Sequence, residues 1–161
     1  MKIVNARIDM RLIHGQVATM WTRMLPVDRI MVIDDAVIDN AMEKSMLKMA
    51  CPTGVKLSVL DCETAAANLL SGKYGNDNIF VVVKSPETFV KVMKHGYCVD
   101  EITVGNMSGR EGARVVHKTI AVTPKEEEAF YALAQAGVKI EYRLAPRDTP
   151  IDFMAMLRDA K

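Results

Sequence analysis

The sequence is short of most features that declare a function outright. Among 161 residues there are three cysteines, Cys51, Cys62 and Cys98, more than ten positions apart, and no C-x-x-C pair. Reduced thiols are the economical reading, and neither a metal cluster nor a disulfide frame is supported. Aromatic residues are 6% of the chain, too few for base-stacking platforms. Lys and Arg number 21 against 20 Asp and Glu, a net charge of +1, so bulk charge draws the chain to neither nucleic acid nor an anionic membrane. No apolar run exceeds six residues, against the ~20 that a membrane span needs. Met1 and Lys2 lead straight into a strand-like segment without the apolar core of a secretory signal. Neither G-x-x-x-x-G-K-S/T nor G-x-G-x-x-G occurs, which leaves direct binding of ATP or a dinucleotide without support. Repeats, low-complexity tracts and linkers are missing as well. The expectation is one cytoplasmic domain over 1–161, long enough to bury a core.

What is present is alternation. Short β-branched runs stand at Lys2–Asp9, Arg29–Ile33, Val55–Leu60, Ile79–Val83, Glu101–Val104 and Val138–Leu144. Helical spacing fills most gaps between them. Val17, Met20, Trp21 and Met24 repeat at i, i+3, i+4, i+7; Met42, Met46, Leu47 and Met49 lie on a second helix, and residues 65–70 on a third. On this pattern the twelve methionines read as core filler. Ser85-Pro86 and Thr123-Pro124 mark helix starts, Thr123 with Glu126 fits a capping box, and Gly72, Gly96 and Gly137 mark ends. Strand–helix alternation predicts an α/β fold: an open, mostly parallel twisted sheet of about six to seven strands with helices on both faces. Ile79–Val83 reads as a central strand, apolar on both sides. From Gly105 to Val122 the rhythm breaks, and a loop plus an extra strand at Thr119–Val122, antiparallel in sense, is expected.

In such folds ligands bind beyond the carboxyl ends of the strands, so the polar residues after each strand matter most. They are Arg7 to Val17 after the first, Asp34 and Asp35 after the second, Asp61 after the third, Lys84 and Ser85 after the fourth, and Gly105 and Asn106 after the fifth. One histidine, several cations and free helix amides on one rim suit a phosphoryl group. His14 stands directly before a helix whose first amides, on Gly15, Gln16 and Val17, have no partner within the helix. Arg11 and Arg7 are near enough for a guanidinium to grip phosphate oxygens. A neutral imidazole there has a lone pair for attack on phosphorus.

Plainer roles compete at each position. His14 as a helix cap or satisfied surface group is one. His95, before Gly96, suits the end of a helix, and nothing recruits His117. Asp35 and Asp61 fit N-caps. Asp34 fits a partner for an arginine or for His14, and Lys84 either binds phosphate or stays solvated.

The run Arg7-Ile8-Asp9-x-Arg11-Leu12-Ile13-His14-Gly15-Gln16-Val17 resembles the signature of the enzyme IIB component of the mannose/fructose/sorbose family of the bacterial sugar phosphotransferase system. Asp28-Arg29-Ile30, Lys84-Ser85-Pro86, Gly105-Asn106-Met107 and Gly137-Val138 follow in family order, so the resemblance spans essentially the whole chain. It implies that His14 is phosphorylated by a phosphohistidine on a IIA protein and passes the group to a sugar entering through the membrane components IIC and IID. Arg11 matches the family arginine beside the histidine, a transition-state stabiliser. No metal, nucleotide or other cofactor is implied, and positioning with charge stabilisation would carry the chemistry. Because the chain opens on the motif, the donor is expected on a separate polypeptide or domain. Met10 and Ser108 depart from the family pattern, where an acidic residue and a histidine are common; Arg110 and Arg114 are candidates to supply a cation near Ser108. The sugar and the existence of a homo-oligomer stay open. A regulatory module that uses phosphorylation only to signal is the second reading; a flavodoxin-like nucleotide binder is the third, with the missing phosphate loop against it.

Overall fold

The β-branched runs become strands because their stiff side chains pack well on a pleated surface. The computed structural model describes residues 1–160. In chain order its elements are β1 (Lys2–Asp9), a π-helical turn (Val17–Trp21) running into α1 (Thr22–Met24), β2 (Arg29–Ile33), a 3-10 turn (Val37–Asp39), α2 (Ala41–Ala50), β3 (Lys56–Leu60), α3 (Cys62–Leu70), β4 (Asn78–Val83), α4 (Pro86–Lys94), β5 (Glu101–Asn106), β6 (Arg114–His117), β7 (Ile120–Val122), α5 (Pro124–Gln135), β8 (Lys139–Tyr142), β9 (Ile151–Asp152) and α6 (Phe153–Asp159). Seven strands form one sheet in the order β3-β2-β4-β1-β5-β8-β9, parallel throughout except for the final β8–β9 pair. The extra strand is β7, but it pairs antiparallel with β6 as a separate hairpin, and a bridge from Met107 to Ile120 links it to the chain leaving β5.

Apolar side chains sort to two faces. Ala6, Ile8, Val81 and Val83 join residues of α3 to α6 in the larger core; Phe80 and Val82 join Val17, Trp21 and Leu47 in the smaller one. Strand β4 contributes to both, and its residues 79–83 are fully buried, as its unbroken apolar run requires. Adjacent strands β1 and β4 thus send the chain to opposite faces, and in such sheets this switch point, beyond the strands' carboxyl ends, is where ligands bind. His14 lies there.

The helix ends follow their signals. Thr123 and Glu126 form the reciprocal capping box at α5, and Gly96 (φ +98°) takes the left-handed turn that closes α4, with Gly96 N donating to Met93 O and Tyr97 N to Val92 O. Ser85 sits at the cap position of α4 without a side-chain bond to it. The methionine reading is corrected: Met20, Met24, Met42, Met46 and Met49 are exposed. In the π turn, i→i+5 bonding brings i+4 back to the inner face but not i+3, so Val17 and Trp21 are buried and Met20 and Met24 point out. On α2 the stripe at i, i+4, i+7 is real but faces outward, and Leu47 supplies the packing.

Candidate functional site

Alternation along β1 puts Arg7 and Asp9 on the same face of the sheet, and both are fully buried. The pairing of β1 with β5 shifts register between Ile8 and Asp9: Ile8 lies opposite Val104 and Asp9 opposite Asn106, which leaves Gly105 as the extra residue of a bulge. Past Asp9 the chain turns at once, with Leu12 N donating to Asp9 O at 2.9 Å. Leu12 holds φ +54°, the one left-handed non-glycine among the described residues. That conformation costs roughly 1–2 kcal/mol, offset by burial of the Leu12 and Ile13 side chains. The turn carries His14 back over the strand end. Ala18 N then donates to His14 O at 2.8 Å, so the amides of Gly15, Gln16 and Val17 precede the first helical hydrogen bond. Nothing lies within 4 Å of where a Cβ would stand on Gly15.

Asp9 is the hub. Its Oδ2 lies 3.0 Å from His14 Nε2 and accepts from Arg7 Nε at 3.4 Å and Nη2 at 3.3 Å. Its Oδ1 accepts from Arg11 N at 3.1 Å and Arg11 Nε at 3.5 Å. Burial pushes the Asp9 carboxyl up, but the His14 hydrogen bond and the Arg7 and His14 charges outweigh it, and it titrates below the ordinary aspartate range. An ionised carboxylate only accepts hydrogen bonds, so Nε2 of His14 carries the proton and the lone pair of the neutral ring is on Nδ1. The His14 side chain is 16% exposed and that of Arg11 49%, so both remain reachable from outside.

The structure brings Arg11, His14, Gly15, Gln16 and Val17 together and corrects the expectation for Arg7. Arg7 grips no phosphate, because its guanidinium is buried and committed to Asp9, Arg143 O (3.0 Å) and Leu144 O (3.3 Å), with the Trp21 ring 4.7 Å away. Burial lowers its pKa, opposed by the Asp9 charge and hydrogen bonds; an arginine nonetheless stays protonated at any working pH. Asp34 and Lys84 make no contact with His14. Asp34 Oδ1 accepts from Ala36 N and Val37 N, and Lys84 Nζ pairs with Glu43 at 2.6 Å and Asp34 at 3.8 Å. Asp35 does cap, but across the fold: it accepts from Cys62 N at the start of α3 and from Lys91 on α4. Arg110 and Arg114 are likewise committed, Arg110 to Glu126 and Ala121 O, Arg114 to Glu127 and the last carbonyls of α6. His95 is the C-cap of α4, and His117 packs on Tyr142 with ring centroids 4.6 Å apart. Sequence reading missed the roles of Asp9, Trp21 and Gly105. The signal for Asp9 is its place two residues after Arg7, on the same face at the buried carboxyl end of β1. Among the described residues no group of three or more His, Cys, Asp or Glu could hold a metal.

A histidine bonded to a buried carboxylate at the carboxyl end of a parallel sheet, with an arginine beside it, has the chemistry that suits phosphoryl transfer. The family model described as PTS system sorbose subfamily IIB component matches residues 3–161, and the chain belongs to that family. It is 32% identical over 157 residues to a sorbose-specific EIIB component of Lacticaseibacillus casei, covering 98% of this chain and 96% of that protein. A fructose-specific EIIB component of Bacillus subtilis is 33% identical over 159 residues, covering 99% and 98%. The solved IIBSor domain of the Klebsiella pneumoniae sorbose permease superposes with TM-score 0.94 at 28% identity, covering 100% of this chain and 99% of that one. The protein is therefore a IIB phosphotransferase component of the sugar phosphotransferase system, of a kind that acts with IIA and IIC/IID partners.

Proposed function

We propose that His14 carries the phosphoryl group, on Nδ1. The observation behind this reading is the 3.0 Å bond of His14 Nε2 to buried Asp9, which leaves Nδ1 as the nitrogen with a free lone pair. That lone pair attacks the phosphorus of a phosphohistidine on a IIA protein; the bond to the IIA imidazole breaks, and that ring departs with its electron pair. The positive charge the His14 ring gains is balanced by Asp9 across the retained Nε2–H bond. Arg11 and the amides of Gly15, Gln16 and Val17 hold the phosphoryl oxygens, the guanidinium as a flexible clamp and the amides as fixed donors at the positive end of the helical turn. A sugar hydroxyl then attacks phosphorus as the P–Nδ1 bond breaks; the electron pair returns to Nδ1, the hydroxyl proton passes to solvent, and His14 is neutral again with Nε2–H still on Asp9. The substrate is a hexose or amino sugar of the mannose, fructose, sorbose and N-acetylgalactosamine class entering through IIC and IID. The chain works at the inner face of the membrane; no described helix is long and apolar enough to cross one.

Incubation with phosphoenolpyruvate, the general phosphotransferase proteins and a cognate IIA, followed by mass spectrometry at alkaline pH, tests this. One phosphate mapping to His14, absent from His14→Ala, is the expected result. Folded protein that takes no label from several IIA donors overturns it, whereas labelled protein that passes no phosphate to sugar in the presence of IIC and IID makes the regulatory module the better account.

A further inference from the structure

The Arg7 guanidinium is enclosed from both sides. On one side the Trp21 ring centroid stands 4.7 Å from Cζ. On the other lies the bare backbone of Gly105, where an added Cβ would overlap Cζ and both terminal nitrogens of Arg7. Trp21 closes the π turn, and Gly105 is the extra residue of the bulge between Ile8 and Asp9. Trp21 is held in turn: its Nε1 donates to Leu144 O at 3.3 Å, the carbonyl that also accepts from Arg7 Nη2, and its ring stacks on Phe80 at 6.1 Å. Within this slot the guanidinium plane has one orientation, and its Nε and Nη2 both point at Asp9 Oδ2, the oxygen bonded to His14. Trp21 and Arg7 are buried and unreachable by any phosphoryl donor, so their effect on His14 passes through Asp9.

We propose that Trp21 and Gly105 are positioning residues for phosphotransfer: they clamp Arg7 in one plane, Arg7 fixes the Asp9 carboxylate, and Asp9 fixes which nitrogen His14 presents. The clamp rests on the reading of His14 as the carrier but has a signature independent of it, the tautomer of the unphosphorylated ring. A carboxylate free to rotate holds the Nε2–H form less firmly, and an imidazole misplaced by about 1 Å loses up to about a hundredfold in rate.

The test uses the full chain labelled with 15N-histidine, with the imidazole nitrogens of His14 read by NMR at alkaline pH and phosphate uptake from IIA measured in parallel. Gly105→Ala is expected to turn a single Nε2–H tautomer into a mixture and to slow phosphorylation at least about tenfold. In an Arg7→Met background, where the guanidinium is gone, the same change is expected to alter the rate by no more than about twofold, since the two residues act as one unit. Trp21→Phe keeps a ring over the guanidinium and is expected to retain the tautomer; Trp21→Leu is expected to lose it. Multiplicative losses in the Arg7→Met/Gly105→Ala pair, or a wild-type tautomer in both Gly105→Ala and Trp21→Leu, overturn the proposal. Should Gly105→Ala fail to fold, the contrast between the two Trp21 variants decides the same question. Wild-type protein that takes no phosphate sinks the carrier reading, while the tautomer comparison still decides the clamp.

Discussion

Asp9 and Asp34 both stand where a strand meets the same edge of the sheet, each with cations nearby, and they do different work. Asp34 spends Oδ1 on Ala36 N and Val37 N, the amides of the turn that follows it, as a carboxylate does when the chain continues directly into a helical turn. Its neighbour Lys84 is taken by Glu43. Asp9 receives only one backbone amide, Arg11 N, and otherwise binds side chains: Arg7, Arg11 and His14. The bulge at Gly105 and the left-handed Leu12 bend the chain so that Asp9 stays buried while His14 returns to it. Two acidic strand ends thus look alike in composition, and the local backbone decides which becomes a cap and which holds His14.

The sharpest way to break this comparison is to remove one oxygen from each carboxylate. Asp9→Asn is expected to cut phosphate uptake by about 10²–10³-fold, because an amide can meet Nε2 as donor and favour the wrong tautomer. It also leaves Arg7 buried without its counter-charge, at a cost of about 3–5 kcal/mol read by urea unfolding. Asp34→Asn is expected to change the rate by less than about twofold and stability by less than about 1 kcal/mol, since asparagine keeps an oxygen for the amides of Ala36 and Val37. Equal losses in the two variants would show that Asp9 is only another structural carboxylate.

The cations extend the comparison at smaller scale. Arg11 is half exposed and among the described residues its side chain bonds only to Asp9, at 3.5 Å, so Arg11→Ala is expected to slow uptake by about tenfold to a hundredfold while shifting stability by no more than about 0.5 kcal/mol. Lys84→Ala reverses the pattern: a stability loss up to about 1 kcal/mol for its partly exposed pair, with uptake from IIA unchanged. A Lys84 variant as slow as Arg11→Ala would restore Lys84 to the phosphate site.

How far the sequence reads depends on how local each cause is. Strands β1 and β2 carry their own β-branched pattern and are legible to the residue; so are the Thr123 capping box and the helix start after His14, which rest on neighbours in sequence. Arg7 was misread because burial of an arginine depends on Trp21, Gly105 and the carbonyls at 143 and 144, brought together only by the strand order. The methionine stripe on α2 has the right period, but period alone does not say which side meets the sheet; Leu47 decides it. The β9–α6 unit lacked a strong run, since β9 is two residues long.

The weakest expected effect concerns Asp35, and it separates stability from chemistry through pH. The Lys91 hydrogen bond, then the Cys62 amide, hold the Asp35 carboxyl down to about 2 from an ordinary 3.8. A carboxyl depressed in the folded state adds stability that is complete above its unfolded pKa and lost as pH falls through its folded one. Asp35→Asn is therefore expected to be less stable than wild type at pH 5–7, with the deficit closing between pH 3.8 and about 2. Because Asp35 and Lys91 are 44% and 57% exposed, solvent screening keeps that deficit below about 1 kcal/mol. Asp9 is depressed as well, so the acid limb has the same sign at both sites; the difference lies in function. Asp35 touches α3 and α4 and not His14, so Asp35→Asn is expected to keep the wild-type pH profile of phosphate uptake wherever it remains folded. Urea unfolding from pH 2 to 7, set beside uptake rates on the same samples, checks both halves. A displaced uptake profile in Asp35→Asn would join the two stretches of the sheet edge into one electrostatic unit.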